Sequence, residues 1–147
     1  MPHRGRPGGL DLSVGAGTIG AVTTRTAHET AAAYWATIEA RDWDGLGALL
    51  AEDVVYELPQ TRERIRGRAA YVQFNREYPG DWTIEVERVV GDGAHAATWI
   101  RFRVGGQEQP ALTHLDLDAD GRISRITEFW PEPYEPPAGR EHLTERF

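Results

Sequence analysis

Apolar and polar positions along the chain change their spacing once, near its middle. In HETAAAYWATIEA, residues 28–40, Ala31, Tyr34, Trp35 and Ile38 recur at the i, i+3, i+4, i+7 spacing of one buried helical face. After Arg41, Asp42 is placed to cap a short second helix, with Leu46, Leu49 and Leu50 on one side. The run VVYEL, residues 54–58, is β-branched and aromatic and stops at Pro59, which has no N–H for a ladder, so it predicts a short strand. Beyond the polar loop QTRERIR, Ala70, Tyr71, Phe74 and Tyr78 suit a third helix ended by Pro79-Gly80.

From Trp82 onward the period is two. WTIEVERVV, HAATWIRFRV, QEQPALTHLDLD and RISRITEFW are separated by GDG, GG and ADG, and predict four hairpin-linked antiparallel strands. Residues 131–147 are Pro-rich and read as an extended strap or tail. Residues 1–27 read as a disordered extension: the apolar stretch after the early arginines is broken by Gly15, Gly17 and Gly20, a poor secretory signal, and the change of composition at Thr23 admits a translation start near Val22. Three helices, one short strand and four long ones hold too many hairpins for a parallel βαβ architecture. The expectation is an α+β domain over residues 28–130, three helices packed into the hollow of a curved, mostly antiparallel sheet. Such a cone encloses an apolar cavity of the kind that takes small ligands.

A chain of 147 residues suits one such domain. Its net charge of −7 argues against a broad grip on nucleic acid or an anionic membrane, both of which require clustered positive charge. All 16 basic residues are arginine, a bias that points to a GC-rich genome and leaves function open. The absence of cysteine removes disulfides, thiol nucleophiles and Cys-ligated zinc, and fits a cytoplasmic protein. No apolar run approaches the roughly 20 residues that cross a bilayer.

Candidate chemistry concentrates on the last strand, where alternation puts Ile126, Glu128 and Trp130 on one face. Burial there disfavours the charged carboxylate and suits Glu128 to proton transfer near neutral pH; the competing reading is an exposed glutamate or one paired with Arg101. Tyr34 and Tyr56 carry hydroxyls able to hold an oxyanion, or are core aromatics. Trp35, Trp99 and Trp130 either wall a pocket or pack. Arg62, Arg64, Arg66 and Arg68 read as a solvated loop face, or as a clamp for an anion at the cavity mouth. If Thr113 faces inward, its neighbour His114 faces outward. No spacing of histidines or carboxylates makes a metal motif and no Gly-rich phosphate loop follows a strand, so neither a metal nor a cofactor is expected.

The block YWATIEARDWDGLGALLAEDVVYELP with the following IRG, and the terminal GRISRITEFW, resemble the nuclear transport factor 2-like superfamily, which includes ketosteroid isomerase, limonene epoxide hydrolase, scytalone dehydratase and polyketide cyclases. The resemblance covers roughly residues 28–130 and implies the cone-shaped, cystatin-like fold. It places Tyr34 where ketosteroid isomerases carry their oxyanion-hole tyrosine, but Leu58 where they carry the general base and Thr113 where they carry the second oxyanion-hole acid. Steroid isomerisation by that route is therefore not expected. Glu128 falls near the last-strand aspartate of the epoxide hydrolases and polyketide cyclases, while the hydrolases' Arg-x-Asp pattern is here Arg101-Phe102-Arg103. Nothing matches the paired histidines of scytalone dehydratase.

The expected function is cofactor-independent acid–base chemistry, of cyclase, isomerase or epoxide hydrolase type, on a small apolar metabolite. Glu128 would move the proton and Tyr34, with Tyr56 or Arg101, would hold negative charge. Trp35, Leu58, Trp99, Thr113 and Trp130 would line the pocket. The alternative is a non-catalytic ligand-binding or dimerisation module, and a homodimer through the outer sheet face is expected in either case.

Overall fold

The structure, a computed structural model, describes residues 25–147, so nearly all of the expected N-terminal extension and the start near Val22 lie outside the described residues. Helix α1 (Ala27–Glu39) begins with a capping box: Thr26 Oγ1 accepts from the Glu29 amide and the Glu29 carboxylate accepts from the Thr26 amide, each at 3.1 Å. Its buried face is the predicted one, Ala31, Tyr34, Trp35 and Ile38, extended by Ala27 and Thr30. Arg41 turns the chain with a left-handed φ of 56° and lays its guanidinium 3.5 Å over the Trp82 ring. Helix α2 (Trp43–Leu49) follows, capped by Asp42, whose side chain accepts from the Gly45 amide at 2.9 Å.

Leu50 belongs to strand β1 (Leu50–Leu58) and not to the second helix; the strand starts earlier than VVYEL suggests because Leu50 already pairs with Ile123. β2 (Glu63–Arg66) forms where a loop is expected. Glu63, Arg64 and Arg66 are exposed at the sheet edge and only Ile65 is half-buried against the core, so a single apolar residue leaves no alternation to betray the strand. Helix α3 (Arg68–Arg76) ends before Tyr78 and buries Tyr71. The strands β3 (Trp82–Asp92), β4 (His95–Val104), β5 (Gln107–Leu117) and β6 (Ile123–Phe129) make the expected meander.

The six strands run in the order β2-β1-β6-β5-β4-β3, every pairing antiparallel except β1 with β6. The last strand thus lies between β1 and the meander. A bulge between Val86 and Arg88 breaks the register of β3, and such insertions bend a strand and raise its twist. Against this end of the sheet α1 approaches so closely that a Cβ on Gly91 would lie 2.5 Å from the His28 amide nitrogen. The helices fill the concave side, with Tyr34, Leu46, Ile100, Leu115 and Ile126 among the fully buried residues. Residues 131–147 form no helix or strand; the Trp130 amide donates to the Gln60 side chain where this segment leaves the sheet. Among the described residues no helix is long and apolar enough to cross a membrane.

Candidate functional site

Strand register settles which side chains face the hollow. On β4, Ala96, Thr98, Ile100 and Phe102 are buried on the concave side, and Thr98 stands opposite Thr113 on β5, which stands opposite Glu128 on β6. This inward row puts an acid on the cavity floor, where Glu128 is only 5% exposed. Its Oε1 accepts from the Tyr56 hydroxyl at 2.7 Å and from Trp130 Nε1 at 3.0 Å, and its Oε2 accepts from Thr113 Oγ1 at 2.8 Å. Among the described residues no cation pairs with it. Burial therefore pushes the Glu128 carboxyl above the ordinary glutamate range, with the bonds from Tyr56, Thr113 and Trp130 offsetting part of the rise.

A second polar group faces it from the helices. The hydroxyls of Tyr34 on α1 and Tyr71 on α3 are hydrogen-bonded to each other, and the Tyr71 ring lies 4.8 Å from that of Tyr56. Burial first, and the nearby Glu128 charge among the lesser causes, raise the pKa of Tyr34, Tyr56 and Tyr71, so all three stay protonated donors through the neutral range. Trp35 is fixed by a 2.8 Å bond from its Nε1 to Thr98 Oγ1. Tyr34, Trp35, Tyr56, Tyr71, Glu128 and Trp130 border a cavity of about 340 Å³ whose remaining lining is mostly apolar, Phe74, Trp82 and Phe102 among it, with Glu63, Asn75 and Gln109 as further polar groups. That volume lies at the lower end of small-molecule sites, and its walls are apolar with a few convergent polar groups.

Six of the nine expected site residues line this cavity, Tyr34, Trp35, Tyr56, Leu58, Glu128 and Trp130, and Thr113 reaches it only through its bond to Glu128. Arg101 and Trp99 do not. Both share the outward parity of β4, opposite to Ile100 and Phe102. Arg101 joins Glu85 (3.7 Å), Glu87 and Glu108 (2.9 Å) in an ion-pair cluster on the outer face, so it neither stabilises charge in the cavity nor pairs with Glu128. Trp99 is 47% exposed and stands in an outer row with Leu112 and Phe129.

The loop arginines make no anion clamp as a group: Arg64 pairs with Glu57 at 3.5 Å, and Arg68 donates to the Leu50 carbonyl at 2.9 and 3.1 Å. Sequence reasoning missed Tyr71 as a member of the cavity's polar cluster. Its place on the apolar face of the third helix was legible, but its pairing with Tyr34, 37 positions earlier, requires the packed helices. It also missed that His95, His114 and Asp116 converge on the outer face, because one of them comes from a neighbouring strand.

Residues 31–126 match the SnoaL-like domain family. No protein of curated function matches the sequence. Among solved structures, a candidate ketosteroid isomerase from Kribbella flavida is 49% identical with a TM-score of 0.80, over 84% of this chain and 93% of that one. An LEH-like epoxide hydrolase from M. tuberculosis is 22% identical with a TM-score of 0.60, over 71% of this chain and 82% of that one. A candidate SnoaL-like polyketide cyclase from Shewanella denitrificans is 16% identical with a TM-score of 0.60, over 69% and 88%. The last two share the fold alone. With the helix-filled six-stranded sheet and the match across most of the domain, the chain belongs to the SnoaL-like family of the nuclear transport factor 2-like superfamily.

Proposed function

We propose that the chain is an acid–base enzyme that moves a proton on a small, largely apolar molecule held in this cavity. The observation that carries the reading is Glu128, an acid buried among neutral donors and bordering an apolar cavity. Such a group resists ionisation by solvation alone and binds a proton more readily than an exposed glutamate, which suits a general base near neutral pH. Oε1 already accepts two bonds, from donors that include the donor-only indole of Trp130, so the arriving proton goes to Oε2. Thr113 can rotate its hydroxyl to accept from that protonated oxygen.

In the reaction this supports, a carbonyl oxygen accepts a hydrogen bond from the Tyr34–Tyr71 pair while a C–H proton beside the carbonyl passes to Glu128 Oε2. The pair of C–H electrons becomes the enolate, whose oxygen the phenols hold, and return of the proton to another carbon, or attack of the enolate on a second carbonyl, completes isomerisation or cyclisation. Tyr56 and Trp130 position the carboxylate. Leu58 occupies the wall where the resemblance to ketosteroid isomerases places their base, so the work falls to Glu128. No cofactor enters this scheme. The similarity to the Kribbella flavida protein favours carbon-acid chemistry over epoxide opening. The Cys-free composition fits action in the cytoplasm.

The test is exchange of α-protons of small cyclic ketones and β-keto esters in D₂O, followed by proton NMR. Glu128→Gln, which keeps shape and can keep the bonds from Tyr56 and Trp130, should slow protein-catalysed exchange by about 10²–10⁴-fold. An unchanged rate overturns the assignment; wild-type protein that binds these ketones without exchanging them is a ligand-binding module instead.

The reading includes a homodimer over the outer sheet face, where Val90, Trp99, Leu112 and Phe129 expose 40–54% of their surface beside one another. Light scattering after size exclusion should give twice the chain mass, and Trp99→Glu should return it to the monomer. A monomeric wild-type protein removes the dimer and leaves the cavity chemistry standing.

A further inference from the structure

We propose that His95, His114 and Asp116 form a binding site for one divalent transition-metal ion on the outer face of the sheet. The site follows from strand register. His114 and Asp116 are two apart on β5 and so share the outward side, and His95 on β4 stands directly opposite Asp116. Two imidazoles and a carboxylate thereby converge on one point although 21 positions separate the first from the last.

The distances suit a metal. His95 Nδ1 lies 2.8 Å and His114 Nδ1 3.6 Å from Asp116 Oδ1, and all three ligating atoms lie within 4.8 Å of one another. Ligands about 2.0–2.2 Å from a tetrahedral ion are about 3.3 Å apart, so small rotations about the side-chain torsions close the set. The two imidazole rings are nearly parallel, at 21°, with centroids 6.0 Å apart. The backbone beneath them is fixed by the uninterrupted β4–β5 pairing, which removes much of the ordering cost that a loop site would carry.

The surroundings point the same way. Asp116 stands opposite Arg125 on β6, but the Arg125 guanidinium is engaged by Glu57. Asp92 on β3 stands opposite His95, adding a second carboxylate beside the site. Two nitrogen ligands and one carboxylate favour zinc, nickel, cobalt or copper over magnesium and calcium, which prefer all-oxygen shells. In the single chain the three side chains are 67%, 50% and 30% open; His114 borders the proposed dimer face beside Leu112, whereas His95 and Asp116 stand at the end of the β4–β5 ladder, where water can complete the shell. The set lies across the sheet from the cavity, and its occupancy is separable from the chemistry at Glu128.

The test is calorimetric titration of tag-free, chelator-treated protein with ZnCl₂ and then NiCl₂. One ion should bind per chain, and His95→Ala, His114→Ala and Asp116→Asn should each weaken binding at least tenfold. His142→Ala, in the C-terminal segment, should leave it unchanged, and MgCl₂ at the same concentration should not bind. Nitrogen-15 NMR should show the imidazole resonances of His95 and His114 shifting together on Zn²⁺ addition. Absence of Zn²⁺ binding, equal affinity in a His95→Ala/His114→Ala double variant, or dependence on only one of the three ligands overturns the site.

Discussion

Replacing Tyr56 by phenylalanine tests whether the buried acid is held as a carboxylate, and it does so without knowledge of a substrate. The change removes one hydroxyl, the 2.7 Å donor to Glu128 Oε1, and leaves the ring that packs on Tyr71 and Phe74. When Glu128 is ionised the lost bond is charge-assisted, worth about 1.5–3 kcal/mol; when Glu128 is protonated the same bond is neutral and worth about 0.5–1.5 kcal/mol. Two donors, Thr113 and Trp130, remain, so the acid keeps its place. The loss should therefore be larger on the alkaline side of the Glu128 titration than on the acid side, by about 1 kcal/mol. The assay is urea unfolding of both proteins across a pH series. With a urea slope of about 2 kcal/mol/M, the midpoint should fall by about 1 M where Glu128 is charged and by about half of that where it is neutral. In a Glu128→Gln background the pH dependence of the Tyr56→Phe cost should vanish. A cost that is constant with pH, or greater in acid, would falsify the carboxylate reading.

Other outcomes follow from the same geometry. Because burial raises the pKa of Glu128 in the folded state, the native protein binds more protons than the unfolded chain between the ordinary and the raised values. Stability from this group is thus complete at or below the ordinary glutamate range and is lost as pH rises through the raised pKa; Glu128→Gln should flatten that part of the stability profile measured by urea unfolding. Gly91→Ala would drive a Cβ to 2.5 Å from the His28 amide nitrogen, and should lower the melting temperature in a calorimetric scan by roughly 2–10 °C. Trp35→Phe removes the donor to buried Thr98 and should cost about 1–3 kcal/mol by urea unfolding. Arg101→Gln, on the outer face, should change stability by less than about 1 kcal/mol and leave α-proton exchange at the wild-type rate.

The features that were legible in the sequence are those written in local periodicity. The face of α1 carrying Tyr34 and Trp35, and the alternation that sends Ile126 and Glu128 to one side of the last strand, need no knowledge of distant contacts. What was not legible depends on register between separate segments. Arg101 and Trp99 take the outward face because Ile100 and Phe102 occupy the inward one, and an alternating strand looks the same from either side until a neighbour fixes its phase. The charged edge strand β2 carries no apolar pattern, and its identity comes only from pairing with β1. The Tyr34–Tyr71 bond and the His95–Asp116 bond share this origin: each joins residues whose proximity is a product of folding.

The central position of β6 also constrains how the protein is made. As the chain leaves the ribosome, β1 and the β3–β5 meander emerge before β6, with facing edges unsatisfied, and only β6 can join them. Glu128 rides on that segment, so the cavity gains its acid in the same step that closes the sheet. A nascent chain halted before residue 123 would hold two open half-sheets, both suited to a chaperone, and a cavity without its buried acid.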